Sequence, residues 1–321
     1  MKVNWGILST AHINRKVIPA IHQSPRSELR AVASRDLNKA QVYAEHWSIP
    51  KAYGSYEELI DDCDIDVVYI SLPNHLHREW IIRALNAGKH VLCEKPMCLT
   101  MDEFESIDLA VKSTGMRVME GFMHLYHPQT QLWKSIIDSD TIGEIHSMRS
   151  CFTFNFDRDP DNYRWKPEYG GGALWDVGVY PVSLFQYLYN EVPVACISSS
   201  FEQNGIDYST SALLSFEGGK AAQFFVSFRS SYSTDTVIHG STGQLYISHP
   251  YSNADLCQAY IRRDDKVEYL DAPRQYLYAG EIEAMNDIVL HQKEPLVKFE
   301  TSKNVLATVL KLKNDVVRRE T

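Results

Sequence analysis

Val3-Asn4-Trp5-Gly6-Ile7-Leu8-Ser9-Thr10-Ala11-His12-Ile13-Asn14 decides the fold. An apolar run ends in small polar residues, and a helical apolar spacing over 12–23 begins directly after them. That is a buried strand, a tight turn and a helix. The alternation repeats downstream, with strand-like runs at 30–34, 66–71, 90–94 and 117–120. Helical patterns fill the intervals: 37–47 with Asp36 as N-cap, 55–60, 76–87 ending at Gly88, and 101–113 ending near Gly115. Strands joined by helices through short connections predict a parallel sheet with helices on both faces, because right-handed crossovers place them there.

Beyond Gly121 the pattern changes. Strand-like segments at 145–156, 195–201, 210–216, 221–227, 235–240, 243–249 and 259–262 are separated by turn signals such as Gly218-Gly219 and Ser241-Thr242-Gly243. Such closely spaced strands predict an antiparallel sheet, with helices at 175–189, 278–291 and 303–319 covering one face. The expected class is α/β: an N-terminal doubly wound parallel sheet of the Rossmann type over 1–121, then an α+β domain over 122–321 with a large, mostly antiparallel sheet. No Ser/Gly-rich linker parts the two, which predicts tight packing around a cleft. An open sheet face predicts a homodimer or homotetramer.

Composition narrows the partners. The 321 residues are 44% apolar and 23% charged, ordinary values for a globular chain long enough for two domains. Against 41 acidic residues stand 32 basic ones, a net charge of −9 that repels nucleic acid and anionic membranes. The acidity is uneven, with 14 basic and 16 acidic residues up to Gly121 but 18 and 25 after it. Six scattered cysteines without a CxxC suit reduced thiols and a cytoplasmic location. The pairs His75/His77 and His124/His127 lack cysteine neighbours at zinc spacing, so no metal site is expected and local hydrogen bonding is the plainer reading. No apolar run approaches the ~18 residues of a membrane helix. The opening MKVNWGILST carries no secretory cleavage pattern, so the whole chain is expected in the mature protein.

Five places carry candidate chemistry. At the first turn a dinucleotide-binding fold would show GxGxxG, whose glycines let helix-start amides reach a pyrophosphate. Here Ser9, Ala11 and Asn14 replace the glycines, and Ser9 and Thr10 offer hydroxyl donors beside Ala11, His12 and Ile13. The strand at 30–34 ends in Ser34-Arg35-Asp36, where a neutral Ser followed by Arg suits the 2′-phosphate of NADP better than the ribose diol of NAD. Leu72-Pro73-Asn74 and His77 follow the strand at 66–71, at the sheet edge where open α/β folds bind ligands. Glu94-Lys95-Pro96 follows the strand at 90–94; Pro96 stops the strand and leaves Lys95 at that edge, where its charge can orient a hydroxyl and lower a neighbour's pKa. Finally, in Gly170-Gly171-Gly172-Ala173-Leu174-Trp175-Asp176-Val177-Gly178-Val179-Tyr180-Pro181 the glycines permit close approach, and Pro181 sets a helix start near Asp176. Asp176 and Tyr180, four apart, then share one helical face. Each piece alone also has a plain reading as a turn, a cap, a surface ion pair or a core aromatic.

Jointly these stretches resemble the Gfo/Idh/MocA oxidoreductases across the whole chain, in order and at the family's spacing. Within that family the resemblance is strongest to dimeric dihydrodiol dehydrogenases and NADP-dependent D-xylose dehydrogenases. It rests on Ser9, on Ser34-Arg35-Asp36-Leu37, on Ile49-Pro50-Lys51-Ala52-Tyr53-Gly54-Ser55-Tyr56-Glu57-Glu58-Leu59 and on Tyr180 where other branches carry His. The resemblance implies Lys95 and Tyr180 as a catalytic pair, Asp176 as the residue positioning substrate, and Arg164 and Trp165 on the cofactor side. It implies NADP(H) as the preferred cofactor, NAD(H) as a second possibility, and a sugar, polyol or cyclic trans-diol as substrate. Ala11 at the second glycine place and Leu125, where those relatives often place Arg, depart from the pattern. The alternatives are an NAD-dependent inositol-type dehydrogenase, an anhydro-ketose reductase, and a non-catalytic dinucleotide-binding regulator. Retention of both Lys95 and Tyr180 argues against the regulator, since sensing needs neither.

Overall fold

The computed structural model describes residues 1–321 apart from 157, 158, 160, 253–256, 320 and 321. It divides into two compact units, Met1–Met123 with Tyr278–Lys303, and His124–Leu277 with Asn304–Thr321.

In the first unit β1 (Val3–Leu8), α1 (Asn14–Gln23), β2 (Ser27–Ala33), α2 (Leu37–Trp47), β3 (Lys51–Tyr53), α3 (Tyr56–Asp61), β4 (Val67–Ile70), α4 (His77–Asn86), β5 (His90–Cys93), α5 (Met101–Thr114) and β6 (Val118–Glu120) alternate as expected. Among the described residues six strands form a parallel sheet in the order β3-β2-β1-β4-β5-β6. Strands covered on both faces need unbroken apolar runs, and Val67, Val68, Tyr69 and Ile70 are all 0% exposed. Gly6 lets α3 approach, since a Cβ there would meet Leu59 Cδ2 at 2.7 Å. The helix ends follow local chemistry: Asp36 accepts from Lys39 N, Ser55 and Glu58 form a capping box, and Gly115 closes α5 with φ 71°. Two details depart from the sequence expectation. Strand β2 begins at Ser27 rather than 30, and β3 is an edge strand whose three half-buried residues carry too little alternation to be read.

The second unit holds α6 (Pro128–Asp138), β7 (Ile145–Asn155), α7 (Val179–Tyr189), β8 (Ala195–Gln203), β9 (Ile206–Ser215), β10 (Ala221–Ser227), β11 (Arg229–Ser233), β12 (Thr236–Gly240), β13 (Gln244–Ile247), β14 (Ala259–Arg263) and β15 (Lys266–Leu270). The segment α8 (Ala279–His291) belongs to the first unit, α9 (Phe299–Asn314) has residues in both, and β16 (Val316–Arg319) returns to the second. The sheet runs β15-β14-β13-β12-β7-β10-β9-β8-β16, with β11 on β7. Its pairs are antiparallel except β7 with β10 and β8 with β16.

Several expectations are corrected here. Helix α6, with Pro128 in its first turn and His127 capping Gln129 N, lacks the Ser, Thr or Asp start that would announce it. Strands β11 and β15 also went unread. The last helix ends at Asn314 rather than 319, because Val316–Arg319 pairs in parallel with β8. The helix expected at 278–291 joins the first unit rather than covering the second sheet. Buried Asn286 fixes it there, donating to Ser24 Oγ and Ser27 Oγ at 3.2 and 2.9 Å and accepting from Trp5 Nε1 at 3.3 Å.

Strand order reverses between β1 and β4, and side chains close the gap at their carboxyl ends. Asn14, fully buried, donates Nδ2 to Ser9 O at 2.9 Å and accepts from Ser71 Oγ at 2.6 Å. Ser9 Oγ accepts from Ala11 N at 3.1 Å and lies 2.9 Å from Ser71 Oγ. Ser9 holds φ 102°, a glycine conformation, so the hydroxyl bonds offset a strain of about 1–3 kcal/mol. In urea unfolding, Ser9→Gly is therefore expected to be more stable than Ser9→Ala by about 1 kcal/mol, since alanine keeps the strain and loses the bonds. Equal stability of the two would contradict this account of the turn.

Candidate active site

The polar edge of the first unit is built from the ends of β1, β2, β4, β5 and β6. Sequence reading assigns the Ser9 hydroxyl to a ligand, but it is engaged by Ala11 N and Ser71. Helix α1 has no side-chain cap, and its first amides, Asn14 N, Arg15 N and Lys16 N, donate to Ala11 O, His12 O and Ile13 O at 3.1, 3.4 and 2.8 Å, next to Thr10. At the end of β2, buried Ser34 accepts Asp36 N at 3.3 Å and Asp36 Oδ1 caps α2 at 3.2 Å. Asp36 is thus committed to the helix, and Arg35 is exposed beside it.

After β4, Leu72 and Asn74 are 6% and 5% exposed, with Pro73 between them at the start of a short helical turn. His77, expected among the cofactor contacts, is 0% exposed, with Nε2 2.7 Å from Leu72 O and Nδ1 2.8 Å from Pro96 O. Its ring is spent on the two loops rather than turned outward. Burial lowers its pKa, with both carbonyl acceptors pulling the other way. After β5, Glu94 Oε1 accepts from Tyr69 hydroxyl at 2.6 Å, and Lys95 precedes a cis Pro96. Two carboxyls that sequence reading missed surround this loop. Glu120 accepts from Met97 N at 2.8 Å, and burial pushes it up to about 7 against the pull of Ser302, Met97 and Lys95. Glu281 is fully buried with neither oxygen bonded among the described residues; burial first and the Glu94 charge second push its pKa well above the ordinary carboxyl value.

In the second unit the glycine-rich run becomes a π-helical turn, Leu174–Gly178, leading into α7. The helix expected to start near Asp176 therefore begins two residues earlier, at Leu174, in π-helical form. The glycines serve neighbours within the unit: a Cβ on Gly171 would meet Arg164 O at 2.5 Å, and one on Gly172, at φ 110°, would meet Asp207 Oδ1 at 2.0 Å. Asp207, also unread, holds the turn by accepting Leu174 N at 2.7 Å and Thr210 Oγ1 at 3.0 Å. The Arg164 guanidinium forks onto Asp176, with Nε at 2.6 Å from Oδ2 and an Nη at 3.2 Å from Oδ1. Asp176 is 5% exposed and Tyr180 7%. The Tyr180 ring stands among His124, Phe152 and Tyr251, centroids 5.1, 5.3 and 5.5 Å away. Trp165 stacks on Tyr208 at 5.0 Å, and its buried Nε1 has no acceptor among the described residues. Leu125 is fully buried.

The start of α1 at the switch point, which carries no side-chain cap, and the exposed Arg35 fit a phosphate-bearing dinucleotide. One carboxylate-rich group, Asp62, Cys63 and Asp64, has ligand atoms within 4.8 Å of one another, but Lys51 Nζ already pairs with both aspartates at 2.9 and 3.0 Å.

Known proteins resemble this chain in sequence and fold. The family described as an oxidoreductase family with an NAD-binding Rossmann fold matches residues 3–122, and the GFO/IDH/MocA C-terminal domain matches 130–246. The D-xylose 1-dehydrogenase (NADP(+)) 2 of Haloferax volcanii is 34% identical over 95% of this chain and 94% of its own. The trans-1,2-dihydrobenzene-1,2-diol dehydrogenase of Mus musculus is 32% identical over 80% and 78%. A 3-ketoreductase from Actinomadura kijaniata, solved with NADP and TDP-benzene, superposes with a TM-score of 0.92 at 29% identity over 100% of both chains. Variants of that ketoreductase with a Tyr replaced by Phe and a Lys replaced by Ala or Glu have also been solved. The chain is an oxidoreductase and belongs to the Gfo/Idh/MocA family.

Proposed function

We propose that the chain catalyses reversible oxidation–reduction, dependent on NADP(H), at a secondary alcohol or carbonyl carbon of a sugar, polyol or cyclic trans-diol. The observation that carries this reading is the turn bearing a buried Asp176 carboxylate gripped by Arg164, with the Tyr180 phenol four residues on. A fixed acceptor and a phenol suit a substrate with vicinal hydroxyls. The activities named for the xylose and dihydrodiol relatives support the same substrate class. The name of the 3-ketoreductase supports carbonyl reduction as one direction of the reaction.

Bound nicotinamide supplies the hydride acceptor in oxidation and the hydride donor in reduction. Tyr180 takes the substrate hydroxyl proton in oxidation and returns it in reduction. A tyrosine ordinarily ionises near pH ~10, so a base at neutrality needs about 4 kcal/mol of phenolate stabilisation, the part given to the Lys95 ammonium. Asp176 accepts a neighbouring substrate hydroxyl and fixes which carbon reacts. The backbone at Ser9, Thr10, Ala11, His12 and Ile13 takes the pyrophosphate. Leu72, Pro73, Asn74 and Glu94 line the ribose and nicotinamide side, with Arg164 and Trp165. His77 supports that edge from within. Ser34 and Arg35 take the 2′-phosphate, a reading helped by the commitment of Asp36 to α2. NAD(H) is the weaker cofactor. Unpaired cysteines suit a cytoplasmic place. A panel of sugars, polyols and diols followed by NADPH absorbance tests the whole reading.

Ser34→Asp with Arg35→Ala is expected to reverse the cofactor preference by placing a carboxylate where the phosphate would lie. Equal wild-type affinity for NADP+ and NAD+ in fluorescence titration would contradict the assignment. Tyr180→Phe keeps ring volume and is expected to leave cofactor affinity unchanged while turnover falls about 10²–10⁴-fold; a variant with most of its turnover would move proton transfer elsewhere. Exposed Ile197, Leu213 and Phe225, at 51%, 44% and 39%, lie on the neighbouring strands β8, β9 and β10 and support self-association through this sheet. A monomeric mass at micromolar concentration would rule that out.

A further inference from the structure

The peptide that follows Lys95-Pro96 is held at both ends by buried side chains to which the proposed chemistry gives no proton. Its carbonyl oxygen, Pro96 O, lies 2.8 Å from His77 Nδ1, and its amide, Met97 N, donates to Glu120 Oε1 at 2.8 Å. His77 is 0% exposed and Glu120 7%, so bulk water does not compete for either bond. A partner on the carbonyl and an acceptor on the amide of one peptide polarise it in the same sense and reinforce each other. The grip reaches further in both directions. Nε2 of His77 lies 2.7 Å from Leu72 O, so the ring stands between the loop after β4 and the loop after β5. On the other side the Glu120 carboxylate is hydrogen-bonded by Ser302 of α9 and feels the Lys95 charge.

A buried carboxyl and a buried imidazole are costly to place, and neither occupies the open edge where a ligand would touch it. They converge instead on one peptide plane, one residue along the chain from Lys95. We infer that His77 and Glu120 are positioning residues that act as one unit through the Pro96–Met97 peptide and fix the direction of the Lys95 side chain. The inference rests on the catalytic role given to Lys95 above. Its requirement of Glu120 is an acceptor for Met97 N, which Gln supplies equally well.

Glu120→Leu, Glu120→Gln, His77→Leu, the Glu120→Leu/His77→Leu double variant and Lys95→Ala are compared with the wild type by turnover, substrate KM and amide hydrogen exchange of the cofactor-free protein. Glu120→Leu is expected to fold, to lose about 30–100-fold in kcat with KM within about 3-fold, and to expose the Met97 amide to exchange. Glu120→Gln should recover kcat to within about 5-fold and restore protection of that amide. The double variant should fall no more than about 3-fold below the poorer single one, because both act on one peptide. Near-normal kcat in Glu120→Leu, failure of Gln to rescue, or multiplicative losses in the double variant would each overturn the inference. Retained turnover in Lys95→Ala would overturn the catalytic reading itself, and this one with it. If His77→Leu does not fold, the Glu120 pair decides alone.

Discussion

Where neighbouring strands of an open parallel sheet send their chains to opposite faces, the carboxyl edge opens and backbone polar groups lose their ladder partners. Satisfying those groups is the constraint on which the rest of this chain depends. At the switch point between β1 and β4 the solution is side-chain amide and hydroxyl chemistry: Asn14 spans Ser9 O and Ser71 Oγ, and Ser9 accepts a glycine-like φ to make it possible. One strand pair further along, His77 and Glu120 do the same for the loops after β4 and β5. The edge is rigid because side chains have replaced the missing ladder, and a rigid edge is what a site for hydride transfer requires.

The second unit meets a similar demand by different means. Its π-helical turn brings more residues into one revolution than an α-helix would, and the glycines at 171 and 172 let Arg164 and Asp207 close around it. Asp207 holds the turn from inside, while Arg164 holds the Asp176 carboxylate at its rim. Asp176 is 5% exposed, and the forked guanidinium of Arg164 supplies the opposite charge and the two donors that a buried carboxylate requires.

How much of this was legible in the sequence follows from the range of each interaction. The parallel sheet was readable because its strands are continuous apolar runs and its helices carry local caps such as Asp36, Ser55 and Gly115. Strand β3 escaped because three half-buried edge residues show no period, and α6 because it opens on His127-Pro128 rather than on a familiar cap. The terminal helix was drawn too long because the pairing of Val316–Arg319 with β8 is a contact across more than 100 positions. Lys95, Asp176 and Tyr180 stood out because each lies in a short motif of unusual composition. Glu120 and Asp207 did not, since their partners lie 23 and 33 positions away, and Asn14 stood out only as a replaced glycine because its partner Ser71 is 57 positions away. His77 was visible but given the wrong direction: spacing placed it at the edge, while only the fold shows that it faces inward.

The central claim is that the edge formed by the ends of β1, β2, β4 and β5 receives the dinucleotide. Hydrogen exchange of the protein with and without saturating NADP+, read by mass spectrometry, tests it most directly. The account predicts new protection concentrated in peptides covering 9–14, 34–36, 71–74 and 93–97. Protection confined to the strands of the second sheet, with those four stretches unchanged, would contradict it.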